Sequence, residues 1–243
     1  VGVEEFEESE LGPIPKGWQI DEIGKVLRVV GGSTPSTKEP AYWNGEYCWA
    51  TPKDLSALSS PVLLRTSRRV TAEGLGQISS GLLPENTVLL SSRAPIGYTA
   101  IARVPTAVNQ GFIAIPPSER LPAEFVLFWL RANLGRIKAA ASGTTFAEIS
   151  KRAFRRLAAV IPGQSSVAEF AQLARPVIDK IAALEQEIET LSATREALLP
   201  RLISGRLRIP EGFGPDDVAE VADELVESAE NHELAAETAA SAG

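Results

Sequence analysis

Residues Phe170 to Leu202 repeat in sevens, and no other feature of the chain constrains its architecture as much. One core position takes Ala174, Ile181, Ile188, Arg195 and Leu202. The other takes Phe170, Val177, Leu184, Leu191 and Leu198. Nine of these ten positions are apolar and the 3–4 spacing never slips. Such a seam predicts a left-handed coiled coil rather than a generic surface helix. At about 1.5 Å per residue the repeat would extend roughly 48 Å. A lone amphipathic rod cannot bury its own seam, so a partner helix is expected, either in another chain or in a second half of the same protein. Leu173, Ile178 and Leu199 flank the seam, so its apolar face is wider than one partner helix requires. Pro176 and Pro200 fall off the seam and are expected to bend or interrupt the rod, because proline lacks the donor and crowds the preceding turn. Gly205 suits a C-cap, and Arg201, Arg206 and Arg208 suit the negative end of the helix dipole. Arg195 is the polar seam position, of the kind that fixes register. The competing reading is a core helix of one globular domain.

The formal charge of −7 conceals a split. Residues 1–10 carry five Glu and no base, and residues 211–243 carry ten Asp or Glu and no Lys or Arg. Residues 11–164 hold 18 Lys and Arg against 10 Asp and Glu, a net of +8. A basic body therefore lies between an acidic leader and an acidic tail read as disordered or weakly helical. The expected division is a leader at 1–10, a mixed α+β domain at 11–164, a coiled-coil helix at 165–209 and the tail at 210–243. The single cysteine, Cys48, lies in a strand-like run and is expected to be a buried small hydrophobe. One cysteine allows no disulfide within the chain, and a reducing cytoplasm fits. No apolar run reaches transmembrane length and no signal peptide is evident, so no membrane role is expected. The chain begins at Val1 and contains no Met. A processed start, an alternative start codon and a fragment are all compatible with that.

The body reads as short strands joined by Gly- and Pro-rich loops. GGSTPSTKEP (31–40) resembles a phosphate cradle but lacks the Gly-Lys-Ser/Thr ending, which excludes a P-loop. Ser33, Thr34 and Lys38 in this loop are candidates for contact with a nucleic-acid backbone. Asn44-Gly45 is a turn signal between aromatic strand-formers. Thr51-Pro52 opens a short helix or turn, and Arg65, Arg68 and Arg69 cluster before Val70. Residues 81–104 read as a strand, a tight turn at Arg93 to Gly97, and a second strand. AVNQGFIAI (107–115) reads as one further strand. Its Asn109 and Gln110 are amides of the type that pairs bidentately with adenine, or else they satisfy backbone groups at a bulge beside Gly111. Pro122 suits a first helical turn, after which Phe125, Phe128, Trp129 and Ala132 share one core-packing face.

SGTTFAEISKRAFRRL (142–157) is the most informative loop. Thr145 with Glu148 three residues on matches a capping box, predicting a helix that starts at Thr145. Thr144 and Thr145 would lie at its N-terminus, which offers free N–H groups to a phosphate. Lys151, Arg152, Arg155 and Arg156 form two i,i+4 pairs with few acids nearby, so they suit a duplex backbone better than a solvated helix face. Arg93 joins them as a candidate. Leu157 to Ile161 is a last strand, and Pro162-Gly163 leads into the heptads.

Catalytic constellations are missing. The one histidine, His232, is in the acidic tail. No Ser/His/Asp or Cys/His set, zinc spacing or glycine-rich cofactor loop occurs, and no titratable groups converge in the sequence. A binding subunit without metal or cofactor is expected. A coiled-coil adaptor whose basic domain binds protein is the alternative.

Taken in order, LGPIPKGW (11–18), GGSTPS (31–36), YWNGEYCWATPKDL (42–55), LLPENTVLLSSRAPIG (82–97), VNQGF (108–112), SGTTFAEIS (142–150) and TREALLPRLISGRLRI (194–209) resemble one half of the specificity subunit of type I restriction–modification systems. The resemblance spans residues 11–209. It implies a target recognition domain followed by a spacer helix that pairs antiparallel with a second such helix. Two such domains would read the two parts of a split site in double-stranded DNA. It also implies methyltransferase partners and, through them, a restriction subunit, in a bacterial or archaeal cytoplasm. S-adenosylmethionine, ATP and magnesium would belong to those partners. The chain departs from the family in carrying one half, and the acidic tail has no counterpart in the pattern. An antiparallel homodimer would place two identical readers on a split palindrome.

Overall fold

The computed structural model describes residues 5–143 and 147–207. Contacts divide the chain into two units, residues 1–183 and 184–243. In the first, β1 (Phe6–Glu7) pairs antiparallel with β2 (Ile14–Pro15). There follow β3 (Gln19–Glu22), α1 (Ile23–Val26), a 3-10 turn (Pro40–Tyr42), β4 (Trp43–Ala50) and α2 (Pro52–Ser56). Next come β5 (Val62–Leu63), β6 (Arg68–Val70), α3 (Ala72–Gly76), β7 (Thr87–Ser91), β8 (Thr99–Ala102), β9 (Thr106–Val108) and β10 (Phe112–Ile115). The series closes with α4 (Ala123–Ala132), α5 (Leu134–Ala139), α6 (Lys151–Arg155), β11 (Ala158–Ile161) and α7 (Gln164–Ile203). The α+β expectation, a mixed domain followed by a long helix, is what the structure contains.

Two sheets carry the domain. One has the order β10-β7-β8-β5 and the other β6-β4-β9. Strands β7 and β10 are buried at every position, which accounts for their continuous apolar runs rather than an alternating pattern. The largest core cluster draws Leu90 from β7, Ile101 from β8, Ile113 and Ile115 from β10, Leu127 and Leu130 from α4, and Phe154 from α6. β11 pairs antiparallel with β3, so the strand that leads into α7 is joined to one near the start of the domain.

Several local expectations are corrected. Asn44-Gly45 is not a hairpin turn. Asn44 has φ +62°, but β4 continues through it and its pairing with β6 shifts between Trp43 and Tyr47, a bulge. A Cβ at Gly45 would come within 2.5 Å of the Thr71 backbone, so close strand approach rather than chain reversal requires the glycine. Residues 107–115 are two strands, interrupted at Asn109–Gly111. On α4 the most buried side chains are Val126, Leu127 and Leu130, while Phe128 is 45 % exposed. Phe125 and Phe128 instead flank Phe170 of α7, each ring meeting it edge-on at 5.8 Å.

The heptad seam divides along α7. Within the first unit, Val167, Ile178 and Ala182 are buried in the domain's own core cluster, with Ile181 packed against it. Arg175 pairs with the buried Glu124 at 3.2 Å, and Asp179 pairs with Arg103. Phe170 and Ile181, counted above in the coiled-coil seam, are thus covered by their own domain. The domain presents an apolar surface to which a helix one chain segment away can dock without the entropy cost of recruiting a second molecule. Val177 remains 58 % exposed. In the second unit, Leu184, Ile188 and Leu191 are exposed at 42 %, 57 % and 60 %, and Arg195 is exposed, while Leu198 and Leu202 are half-buried. Pro176 and Pro200 do not interrupt α7. Both are exposed, as is Gln172, whose carbonyl loses its partner at Pro176 but can be solvated.

Candidate nucleic-acid interface

The loop from Gly31 to Lys38 is held by the sheets around it. Val30 exchanges two hydrogen bonds of 2.9 Å with Ala114 of β10. Gly32 then passes so close to β9 that a Cβ would lie 1.6 Å from the Val108 carbonyl oxygen, so only glycine fits there. Two indoles pin the rest: Trp49 Nε1 donates to Ser33 O at 3.2 Å, and Trp43 Nε1 to Ser36 O at 3.0 Å. Ser33 Oγ donates to Gln77 O and accepts from Ser79 N, both at 3.1 Å, so its hydroxyl is engaged inside the protein. Thr34 Oγ1 is directed the other way and donates to Gln110 Oε1 at 2.6 Å.

Gln110 sits in the break between β9 and β10. Its neighbour Asn109 accepts from Gly111 N at 2.9 Å, which is the bulge-satisfying role weighed for it above. Across the break, Gly111 O accepts from Ser92 N at 2.8 Å, and Ser92 O accepts from Ile149 N at 3.0 Å. This ladder brings three distant segments together: the strand end at Ser92–Arg93, the break at Gln110, and the residues leading into α6. Between them lies a cleft of about 390 Å³ lined by Ser92, Gln110, Glu148, Ser150, Lys151 and Arg152 among others. Gly31 borders Lys151, since a Cβ there would meet its Nζ at 2.6 Å.

The helix expected to start at Thr145 starts six residues later. Thr144 and Thr145 themselves lie outside the described residues. Glu148 caps no helix among the described residues. Its backbone pairs with Ser142 through hydrogen bonds of 3.0 and 3.1 Å and bridges Arg93, whose Nη1 is 3.7 Å from Glu148 Oε2. Ser150 is the N-cap, its hydroxyl accepting from Ala153 N at 3.1 Å. Among the described residues, the backbone of Glu148 is used in bridges and the helix begins only after Ser150. α6 is only five residues long, and Phe154, fully buried, anchors it. Its three bases and the C-cap Arg156 therefore divide. Arg155 donates to Val29 O at 2.5 Å and packs over Gly24, which makes it part of the framework. Lys151 and Arg152 line the cleft, exposed, and neither has a hydrogen-bond or ion-pair partner among the described residues. Arg156 and Lys38 are exposed and do not line it.

Asp54 supports the floor from behind. It accepts from Thr51 N at 2.7 Å, Thr51 Oγ1 at 2.6 Å and Ser67 N at 2.8 Å. Burial alone would raise its carboxyl pKa, but the hydrogen bonds from Thr51 and Ser67 overcome that and hold it below 3.8. The adjoining Pro52 ring would be 3.0 Å from a Cβ at Gly111, so α2 props the turn that carries Gln110.

Of the sequence candidates, the fold brings Gln110, Lys151, Arg152 and Arg155 to one cleft, with Thr34 reaching it through Gln110 and Arg93 through Glu148. It assigns Ser33, Asn109 and Arg155 to internal hydrogen bonds. Ser92, Glu148 and Ser150 line the cleft without having been singled out as ligand contacts. The order SSR…NQG…EISKR contains them, but only the pairing of β7 with β10 shows that they converge.

The domain thus carries an exposed cationic cleft and is followed by a long helix with exposed apolar residues at Leu184, Ile188 and Leu191. A model of the type I restriction modification DNA specificity domain matches residues 15–191, and the chain belongs to that family. It is 41 % identical over 147 residues to the type I restriction enzyme MjaIX specificity subunit of Methanocaldococcus jannaschii, a match covering 60 % of this chain and 34 % of that protein. It is 21 % identical over 197 residues to the HindI specificity subunit of Haemophilus influenzae, covering 80 % and 42 %. The fold is similar to that of the HsdS subunit from Thermoanaerobacter tengcongensis, with a TM-score of 0.53 and 18 % identity over 75 % of this chain and 42 % of that one. The chain thus spans less than half the length of these relatives. No helix among the described residues is long and apolar enough to cross a membrane.

Proposed function

We propose that this chain is a non-catalytic DNA-recognition unit of a type I restriction–modification complex. It carries one target recognition domain and directs methyltransferase subunits, and through them a nuclease and translocase subunit, to its site. The observation that carries this reading is the cleft where Thr34, Gln110, Lys151 and Arg152 meet. It combines cations unpaired among the described residues with oriented side-chain amide and hydroxyl groups, on a domain of net +8. Lys151 and Arg152 suit phosphates, and Gln110, oriented by Thr34, suits a base edge. S-adenosylmethionine, ATP and magnesium act on the partner subunits in this reading.

The exposed face at Leu184, Ile188 and Leu191 is the pairing surface for a second helix, and an antiparallel homodimer would read a split, palindromic site. Duplex binding across a salt series tests the function. The wild type should lose affinity steeply with salt through counterion release, and Lys151→Ala with Arg152→Ala should lower the slope by roughly 2. Negligible affinity at low salt, with capture of a protein partner, would replace this reading with the adaptor.

A further inference from the structure

Away from the cleft, one cation is fixed in place by aromatic rings. Arg68 opens β6, the edge strand of the β6-β4-β9 sheet, and stands opposite Trp49 in register. Its guanidinium carbon lies 3.5 Å from the ring centroid of Trp43 and 5.5 Å from that of Trp49. The two indoles meet edge-on at 5.0 Å and are themselves buried, at 8 % and 3 % exposure. Arg68 is exposed, and its guanidinium has no hydrogen-bond or ion-pair partner among the described residues.

An exposed arginine ordinarily keeps its rotamer freedom and loses it on binding. Here the contact with two buried indoles restricts the side chain in advance, and the cation–π attraction holds the charge at the surface. The same two indoles donate to Ser33 O and Ser36 O. The rings that orient Arg68 therefore also anchor the loop that presents Thr34 to Gln110. Lysines, as point charges, suffice for phosphates. A planar five-donor fork held in place by two rings is suited to a partner with two acceptors in one plane.

We propose that Arg68 is a specificity-determining residue that takes the O6/N7 edge of a guanine in the major groove. The proposal rests on the DNA-recognition reading above and extends its footprint from the cleft to the β6 edge. Arg69, beside it and exposed, supplies charge without aromatic support, since no ring contact holds it among the described residues.

The test compares the full chain with Arg68→Lys and Arg68→Ala. Each is used to select duplexes from a random pool, and then titrated against the preferred duplex and single-base-pair variants of it at one salt concentration. Arg68→Lys keeps a cation over Trp43 and so preserves the fold. It should lose about tenfold of discrimination at one G·C pair. Its affinity for an unrelated duplex should stay within about twofold. Unchanged base preference in both variants overturns the assignment. A uniform loss on all duplexes in Arg68→Ala, with preference intact, overturns it too and makes Arg68 a phosphate contact. A wild type that binds no duplex at low salt removes the DNA reading itself, and this proposal with it.

Discussion

Ile178 offers a direct test of how α7 is attached to the recognition domain. It is 2 % exposed and lies in the core cluster with Ile161, Val167 and Ala182, whereas Leu173, five residues earlier on the same helix, is 77 % exposed. Truncating Ile178 to alanine removes three buried carbon atoms from a site bounded by rigid strands. Such changes cost about 2–5 kcal/mol, the spread reflecting how far the site can collapse. Here one wall is a helix held additionally by Arg175–Glu124 and Asp179–Arg103, which resist collapse. A value near 3 kcal/mol follows, and it corresponds to a fall in melting temperature of roughly 6–12 °C for a chain of this size. Leu173→Ala should change stability by less than about 0.5 kcal/mol, because its side chain is already in water. Thermal and urea unfolding followed by circular dichroism reads both. Equal shifts in the two variants, or no shift in Ile178→Ala, would refute the docking of α7 described here.

Three further outcomes are expected. Leu184→Asp places a charge in the uncovered seam and should convert any self-associated species to monomer in sedimentation, with the melting behaviour of the recognition domain unchanged; a wild type that sediments as a monomer would remove the homodimer. Asp54→Asn should cost about 1–3 kcal/mol at pH 7, since three donors lose a charged acceptor. Because the folded pKa of Asp54 lies below its unfolded value, that stability is present above about pH 4 and is lost as the pH falls through the folded pKa. The gap between wild type and variant should therefore close in acid, and a gap independent of pH would contradict the role given to its charge. Gly32→Ala should fail to yield the native fold, because a Cβ would lie 1.6 Å from Val108 O, and a soluble, normally melting variant would show that the loop is not held as described.

Periodicity and charge are local properties, and they were legible in the chain. The 3–4 heptads are present as one helix, the basic body is a mixed α+β domain, and Cys48 is buried. The strand–turn–strand of 81–104 is likewise there, as β7 and β8. Each of these follows from side-chain spacing or from turn chemistry acting over a few residues.

What needed tertiary structure was every choice between two locally acceptable partners. Glu148 reads locally as a first-turn helix residue, yet its backbone bridges Ser142 and Arg93, and the described helix is capped by Ser150. Asn109 and Gln110 are adjacent amides of the same chemistry. Packing turned Asn109 inward to Gly111 N and left Gln110 outward with Thr34, 76 residues away. The three bases of α6 are equivalent in sequence and all border the cleft, yet Arg155 is committed to Val29 O while the side chains of Lys151 and Arg152 have no partner among the described residues. In the heptads, Ile178 and Val177 are neighbours of nearly equal hydrophobicity, and a rotation of about 100° between them separates core from solvent. Sequence determines which faces are apolar and which groups are charged. Which face meets the chain's own domain, and which is left for a partner, depends on surfaces assembled from residues far apart in sequence.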